Sequence, residues 1–302
     1  MLRIAIAVCC LLSLPLSCLA QEKAAQQKAA EPKVPEGVVY EKDVQHGTGG
    51  GEPLLLDIAR PEKATKAPCI VVIHGGGWRG GNFKVHVPHI LEFAKRGYVS
   101  ATVQYRLVPK AAWPAQIEDV KCAVRYLRAN ADKYGIDKDR IGAIGFSAGA
   151  HLSMLLGTMD KADGLEGEGG NPNESSKAQA VVAYFGPTDL TQDDYPDVVK
   201  QMINDLVGGK VADKLDVAKS ASPITYVDSA DAPTLIYQGT KDRLVPYTQA
   251  VLMADAMTKA GVPGRVELLL GADHGWGGPE ILRTGEDSIG FFNLHLKHTP
   301  AK

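Results

Sequence analysis

From residue 38 onward the chain alternates short apolar runs with longer segments whose apolar residues recur every three or four positions. Runs of the first kind read as strands and segments of the second as amphipathic helices, so the alternation predicts an α/β fold: a mostly parallel central sheet with helices on both faces. The strands fall at 69–73, 98–104, 140–145, 180–185, 234–238 and 266–270, and several are continuously apolar, as strands covered on both sides must be. Two more precede them, at 38–44 and 53–58. The segment His46-Gly47-Thr48-Gly49-Gly50-Gly51 between these two suits an antiparallel hairpin at the sheet edge.

Two helical segments are especially regular. After Pro114, residues Ile117, Val120, Val124 and Leu127 share one face while Glu118, Lys121, Arg125 and Arg128 share another. After Ser147, residues Leu152, Leu155, Leu156 and Met159 repeat at i, i+3, i+4 and i+7, which packs an apolar stripe on the sheet and leaves the helix N-terminus at the serine. The acidic, glycine-rich tract 163–176 reads as a surface loop, and no repeat of fixed period is visible.

Composition narrows the partners. A chain of 302 residues holds one large α/β domain with ample core, and a formal charge of -2 without a long basic run argues against nucleic acid or an anionic membrane surface. Residues 1–20 read as a signal peptide: Arg3 precedes the apolar run 4–16, and Cys18-Leu19-Ala20 offers a small residue at the cleavage edge. Segment 14–18 also bears a faint likeness to a lipoprotein box, from which Pro15 departs. Residues 21–37, rich in Ala, Gln, Lys and Glu, read as a flexible segment, and 38–298 as the folded domain. Export is therefore expected, with no membrane-spanning helix. Of the five cysteines only Cys69 and Cys122 fall in the domain, where two free, buried thiols are expected.

The chemistry gathers at strand ends. Gly145-Phe146-Ser147-Ala148-Gly149 follows the apolar strand 140–145 and opens a helix, which is the setting a G-x-S-x-G nucleophile elbow requires. Upstream, a strand runs directly into His74-Gly75-Gly76-Gly77-Trp78, and consecutive glycines there bring backbone N–H groups close to a ligand. Gly76, Gly77 and Ala148 are the expected oxyanion donors. An acid and a base should follow in the order Ser, Asp, His at later strand ends. Asp242, in Gly239-Thr240-Lys241-Asp242, and His274, in Ala272-Asp273-His274, meet that requirement. His151, one turn below Ser147 on the same helix, is aimed poorly for a base and reads as supporting structure; Asp228, Asp231 and Asp273 read as surface carboxylates. The pairs His86/His89 and His295/His298 have no third ligand nearby in sequence, so neither a metal nor another cofactor is expected.

With these motifs in place, the chain resembles the α/β-hydrolase superfamily, and within it the esterases similar to hormone-sensitive lipase and to the bacterial acetylxylan and feruloyl esterase (BD-FAE-like) group. The resemblance covers about residues 38–297 and rests on HGGGW at 74–78, QYRLVP at 104–109, GFSAGAHL at 145–152, FGPTDL at 185–190, ASPITYV at 221–227, GTKDRLVP at 239–246 and ADHGW at 272–276. It implies the α/β-hydrolase fold, Ser147 as nucleophile, His274 as base, Asp242 as its orienter, and structural roles for Tyr105-Arg106 and Asp119. Trp78 and Trp276, beside the glycines and the histidine, are assigned to substrate binding. Two departures matter: Ala150 stands where many relatives carry glycine, and the chain has no room for a large N-terminal cap. The stretch 191–220, with Tyr195, Met202, Ile203, Leu206 and Val207 as its apolar positions, is instead expected to form a small partial lid. The implied activity is hydrolysis of short-chain esters, acetyl groups on polysaccharide among them. The alternatives are a small-amide hydrolase of arylformamidase or peptidase type, and a non-catalytic binding module on the same fold.

Overall fold

A computed structural model describes residues 32–297, so the expected signal peptide at 1–20 and most of the expected flexible segment at 21–37 lie outside the described residues. The strands are β1 (Val38–Gly49), β2 (Glu52–Pro61), β3 (Ala67–Ile73), β4 (Val99–Val103), β5 (Ile136–Phe146), β6 (Ala180–Tyr184), β7 (Thr234–Gly239) and β8 (Gly264–Leu269). They form one sheet in the order β1-β2-β4-β3-β5-β6-β7-β8. The pairings of β1 with β2 and of β2 with β4 are antiparallel, and the remaining five are parallel. The edge hairpin is longer than its sequence suggests. His46 to Gly49 continue β1, and the reversal is left to Gly50 and Gly51, at φ 59° and 83°. A two-residue turn with both φ positive matches the twist of the flanking strands, and only glycine adopts it without steric cost.

The helices are α1 (Val87–Lys95), α2 (Ala115–Ala129), the single turn α3 (Ala131–Tyr134), α4 (Ala148–Thr158), α5 (Asp197–Val207), α6 (Leu215–Ser220), α7 (Thr248–Ala260) and α8 (Pro279–Phe292). Side-chain alternation along the strands divides the core. Cys69, Val71 and Ile73 of β3 with Ala143 of β5 join the α2, α4, α5, α6 and α7 side. Ile70, Val72, Ile144 and Val182 join α1 and α8 on the other. In α2 the stripe Ile117, Val120, Val124 and Leu127 is wholly buried, each side chain worth about 2 kcal/mol over exposure.

The charged side of α2 is largely buried too, with Lys121, Arg125 and Arg128 almost wholly covered. Lys121 donates to Glu166 Oε1 at 3.0 Å and to the Gly164 carbonyl, and Arg125 donates to Glu166 Oε2 at 2.7 Å and to the Gly170 carbonyl. Arg128 is likewise bound to the Ser175 and Lys177 carbonyls. The tract 163–176 is therefore strapped over α2 by one carboxylate facing two cations. Helix α4 departs from its stripe in the same direction: every one of its residues is buried, because the segment around Ala221 and Ala232 packs over its outer side. Cys69 and Cys122 are buried free thiols. Strand β8 lies at the edge of the sheet and ends at Leu269, leaving Leu270 exposed beyond it. No helix among the described residues is long and apolar enough to cross a membrane.

Candidate active site

Because β3, β5, β6, β7 and β8 run parallel, their C-terminal ends share one edge of the sheet, where open α/β sheets place their sites. Ser147 leaves β5 with φ 53° and ψ -120°, a conformation that costs a non-glycine residue about 1–3 kcal/mol and persists only where the surroundings enforce it. Here they do so from three sides. The Ser147 N–H donates to the Tyr184 carbonyl of β6 at 2.9 Å, its carbonyl accepts the His151 N–H at 3.0 Å, and α4 starts at Ala148. The turn holds Ser147 half-buried at the helix N-terminus, where the dipole favours negative charge.

The glycine loop after β3 lies against this turn. A Cβ on Gly75 would stand 2.6 Å from the Phe146 carbonyl oxygen and 3.3 Å from Ser147 Cβ, so the loop can approach only as glycine. Gly76, Gly77 and Trp78 then follow at φ 115°, 58° and 58°. Among the described residues no acceptor takes the N–H groups of Gly76, Gly77 or Ala148, which leaves three backbone donors of the kind an oxyanion needs. His74 holds the start of the loop. Its ring stacks on Tyr105 at 4.3 Å, its Nδ1 lies 2.7 Å from the Gly75 carbonyl, and the Tyr105 hydroxyl donates to its own carbonyl at 3.0 Å.

Asp242 and His274 meet across the ends of β7 and β8. Asp242 Oδ2 lies 2.8 Å from His274 Nδ1 and also accepts from Gln238 Nε2 at 2.9 Å. Its Oδ1 accepts the Leu244 and Val245 N–H groups at 2.8 and 2.9 Å. The carboxylate is fully buried and acts wholly as acceptor, so Nδ1 of His274 carries the hydrogen and Nε2 is left with the lone pair. Phe185, at the end of β6 between the serine and the histidine, lays its ring 4.6 Å from that of His274. The three residues expected at the site thus stand on one sheet edge, with Asp242 and His274 in direct contact and Ser147 bonded to the intervening strand. The arrangement can take a proton from a hydroxyl and steady negative charge on an oxygen held near the glycines.

The competing candidates are otherwise engaged. His151 is fully buried and pushed down to about 4 by that burial, with both ring nitrogens occupied. Asp273 binds Arg243 and the His274 N–H; the Arg243 hydrogen bond first, and then those from the backbone, hold its carboxyl down to about 2. Arg106 reaches Asp119 through its guanidinium and its backbone N–H, a structural pairing as expected. His86 and His89 face one another, Nδ1 to Nδ1, at 3.3 Å, and no group of three or more metal-ligating side chains occurs among the described residues.

The tryptophans divide. Trp276 is half-buried beside Phe185 and Tyr184, with its indole N–H on Thr284. Trp78 departs from its expected role as a substrate contact: its side chain is only 2% exposed and its indole N–H points at His151 Nδ1. The glycines before it turn its ring inward, under the loop. Sequence reading also missed Gln238 and Phe185. Gln238 carried a signal, a lone amide near the end of β7, four residues before Asp242. The lid positions Tyr195, Ile203, Leu206 and Val207 are buried, and Met202 sits over Gly77, where a Cβ would lie 2.7 Å from its sulfur.

Comparison with known proteins agrees with this architecture. The BD-FAE family model matches residues 56–257. Esterase LipQ of Mycobacterium tuberculosis is 32% identical over 224 residues, 72% of this chain and 53% of LipQ, so the chain spans about half the length of that relative. Among solved structures, a truncated carbohydrate esterase from gut microbiota superposes with a TM-score of 0.75 at 27% identity, over 89% of this chain and 99% of that one. Est2 of Thermogutta terrifontis, solved with propionate bound, gives 0.72 at 25% identity over 90% and 98%. The same esterase phosphonylated by sarin gives 0.75 at 25% identity over 91% and 100%.

Proposed function

The chain belongs to the BD-FAE family of α/β-hydrolases, and on that footing we propose that it is a serine carboxylic-ester hydrolase acting on short acyl esters, acetyl groups on polysaccharide among them. One observation carries the reading: a histidine fixed at Nδ1 by a buried carboxylate, on the same sheet edge as a serine strained to positive φ with the glycine loop packed against it. In this mechanism His274 Nε2 takes the Ser147 proton as Oγ attacks the ester carbonyl. The oxyanion is received by the N–H groups of Gly76, Gly77 and Ala148, each such donor contributing about 3 kcal/mol at the transition state. His274 then returns the proton to the leaving alcohol, and water, activated by the same imidazole, hydrolyses the acyl-enzyme. Asp242 holds the ring in the one tautomer that serves both steps.

Met202 supports a short acyl group: it sits over Gly77, close to the oxyanion loop, while Tyr195, Ile203, Leu206 and Val207 of the lid are buried. The carbohydrate esterase from gut microbiota and propionate-bound Est2 lend the same direction. Export through residues 1–20 would bring such an enzyme to extracellular polysaccharide. The test is a series of nitrophenyl esters from two to twelve carbons, run beside acetylated xylan, a feruloyl ester and an N-formyl aryl amide. Highest kcat/KM at two to four carbons with acetate release from xylan is the expected result. Preference for long chains, or faster turnover of the amide, would overturn it.

A further inference from the structure

Loop 74–78 has an unusual anchorage. Three consecutive residues at positive φ make no ladder bonds; the Gly76 carbonyl accepts the Arg79 and Gly80 N–H groups at 3.1 Å, and beyond that turn the directions of the Gly76 and Gly77 N–H groups depend on how the loop is tied at its ends. At its start the Tyr105 hydroxyl holds the His74 carbonyl. At its end the Trp78 carbonyl accepts the Val108 N–H at 2.9 Å, and the Trp78 indole N–H reaches His151 Nδ1 at 3.3 Å.

We propose, resting on the esterase reading above, that His151 is a positioning residue for the oxyanion loop: through Trp78 it fixes the aim of the Gly76 and Gly77 N–H groups relative to Ser147. The hydrogen-bond chemistry allows one arrangement. An indole nitrogen only donates, so His151 Nδ1 bears no proton and Nε2–H must donate to the Ala221 carbonyl, 2.6 Å away. The ring is therefore neutral and held as one tautomer, and burial, which pushes it down to about 4, keeps it so at working pH. It is also clamped sideways, with Trp78 and Trp113 edge-on at 5.2 and 6.1 Å. Trp113 in turn donates from its backbone to the Leu206 carbonyl and from its indole to Ser220. His151 thus joins the nucleophile's helix, the oxyanion loop and the end of the lid at a single ring, one helical turn below Ser147.

The two nitrogens can be separated by substitution. His151→Gln keeps a donor able to reach Ala221 and loses the acceptor at Nδ1; His151→Asn keeps an acceptor near Nδ1 and loses the reach to Ala221. Trp78→Phe removes the indole donor and retains a ring. On nitrophenyl acetate, His151→Gln and Trp78→Phe should each lower kcat about 10- to 100-fold with KM within about twofold, since the loop is misaimed and substrate binding is untouched. The Ki of phenylboronic acid, whose tetrahedral adduct places an oxygen in the same site, should rise by the same factor. The double variant should be no worse than the worse single one. His151→Asn should keep kcat within about threefold of wild type while lowering the melting temperature at least as much as His151→Gln. Variant kcat values that track melting temperature, or losses that add fully in the double variant, would overturn the proposal. A wild-type chain without turnover on any ester defeats the esterase reading and this inference with it; an active wild type with unaltered His151→Gln and Trp78→Phe kinetics defeats this inference alone.

Discussion

Replacing Asp242 by asparagine changes one atom and almost no volume, yet the hydrogen bonds around it leave the substituted side chain no comfortable orientation. Oδ1 accepts two backbone N–H groups, from Leu244 and Val245, so the amide oxygen must stay there. The new NH2 then occupies the Oδ2 position, where it meets two donors, Gln238 Nε2 at 2.9 Å and His274 Nδ1 at 2.8 Å. Gln238 cannot turn to accept without setting its oxygen against the Val245 carbonyl, to which its Nε2 also donates at 2.9 Å. The imidazole has to yield: Nδ1 loses its hydrogen, Nε2 gains it, and the nitrogen that should take the serine proton is already protonated. We expect kcat on nitrophenyl acetate to fall about 10⁴-fold, or about 5.5 kcal/mol, with KM little changed. Loss of two charge-assisted bonds at a fully buried site should also cost about 2–3 kcal/mol in urea unfolding. Asp273→Asn is the control, since that carboxylate lies beside His274 but binds exposed Arg243; it should stay within about threefold of wild type. Asp242→Asn within tenfold of wild type, or Asp273→Asn equally impaired, would mean that Asp242 does not set the His274 tautomer.

Glu166→Gln should destabilise the fold by about 3 kcal/mol in urea melts while leaving kcat intact, because it strands the buried Lys121 and Arg125 cations; unchanged stability would contradict the strap drawn over α2. Gly149→Ala should abolish soluble folded protein or cost about 3 kcal/mol, since its Cβ would run into the Ile73 and His74 carbonyl oxygens; a stable variant would mean β3 and α4 are not in contact there. Burial holds His46 and His151 down to about 4, and burial with the neighbouring His89 and His74 holds His86 down to about 3, all below the ordinary value near 6.5. Below pH 6.5 the unfolded chain therefore binds protons that the folded chain refuses. Their contribution is complete above pH 6.5 and is lost as the pH falls through 4, at about 1.4 kcal/mol per pH unit per histidine; urea midpoints equal at pH 7 and pH 5 would contradict it.

Much of this was legible in the residues. Continuous apolar strands and the glycine-flanked serine specify the sheet and its reactive edge, because a parallel strand buried on both faces and a turn at positive φ each admit few residue types. Asp242 and His274 were legible because each follows an apolar strand through a short loop. What escaped the pattern was tertiary. A charged stripe on α2 looks solvated until Glu166, forty residues away, is folded over it. Trp78 looks like a ligand contact beside three glycines until their positive φ values turn its ring inward to His151. Gln238 shows its purpose only when the end of β7 brings it against Asp242.

Ester hydrolysis by this chain needs Ser147 as the nucleophile, and mass spectrometry of the protein treated with one equivalent of a fluorophosphonate shows which residue reacts. A single adduct on the peptide carrying Ser147, absent from Ser147→Ala, together with a fall of about 10⁶ in turnover for that variant, is the predicted result. An adduct on another residue, or nitrophenyl acetate turnover retained in Ser147→Ala, would contradict it.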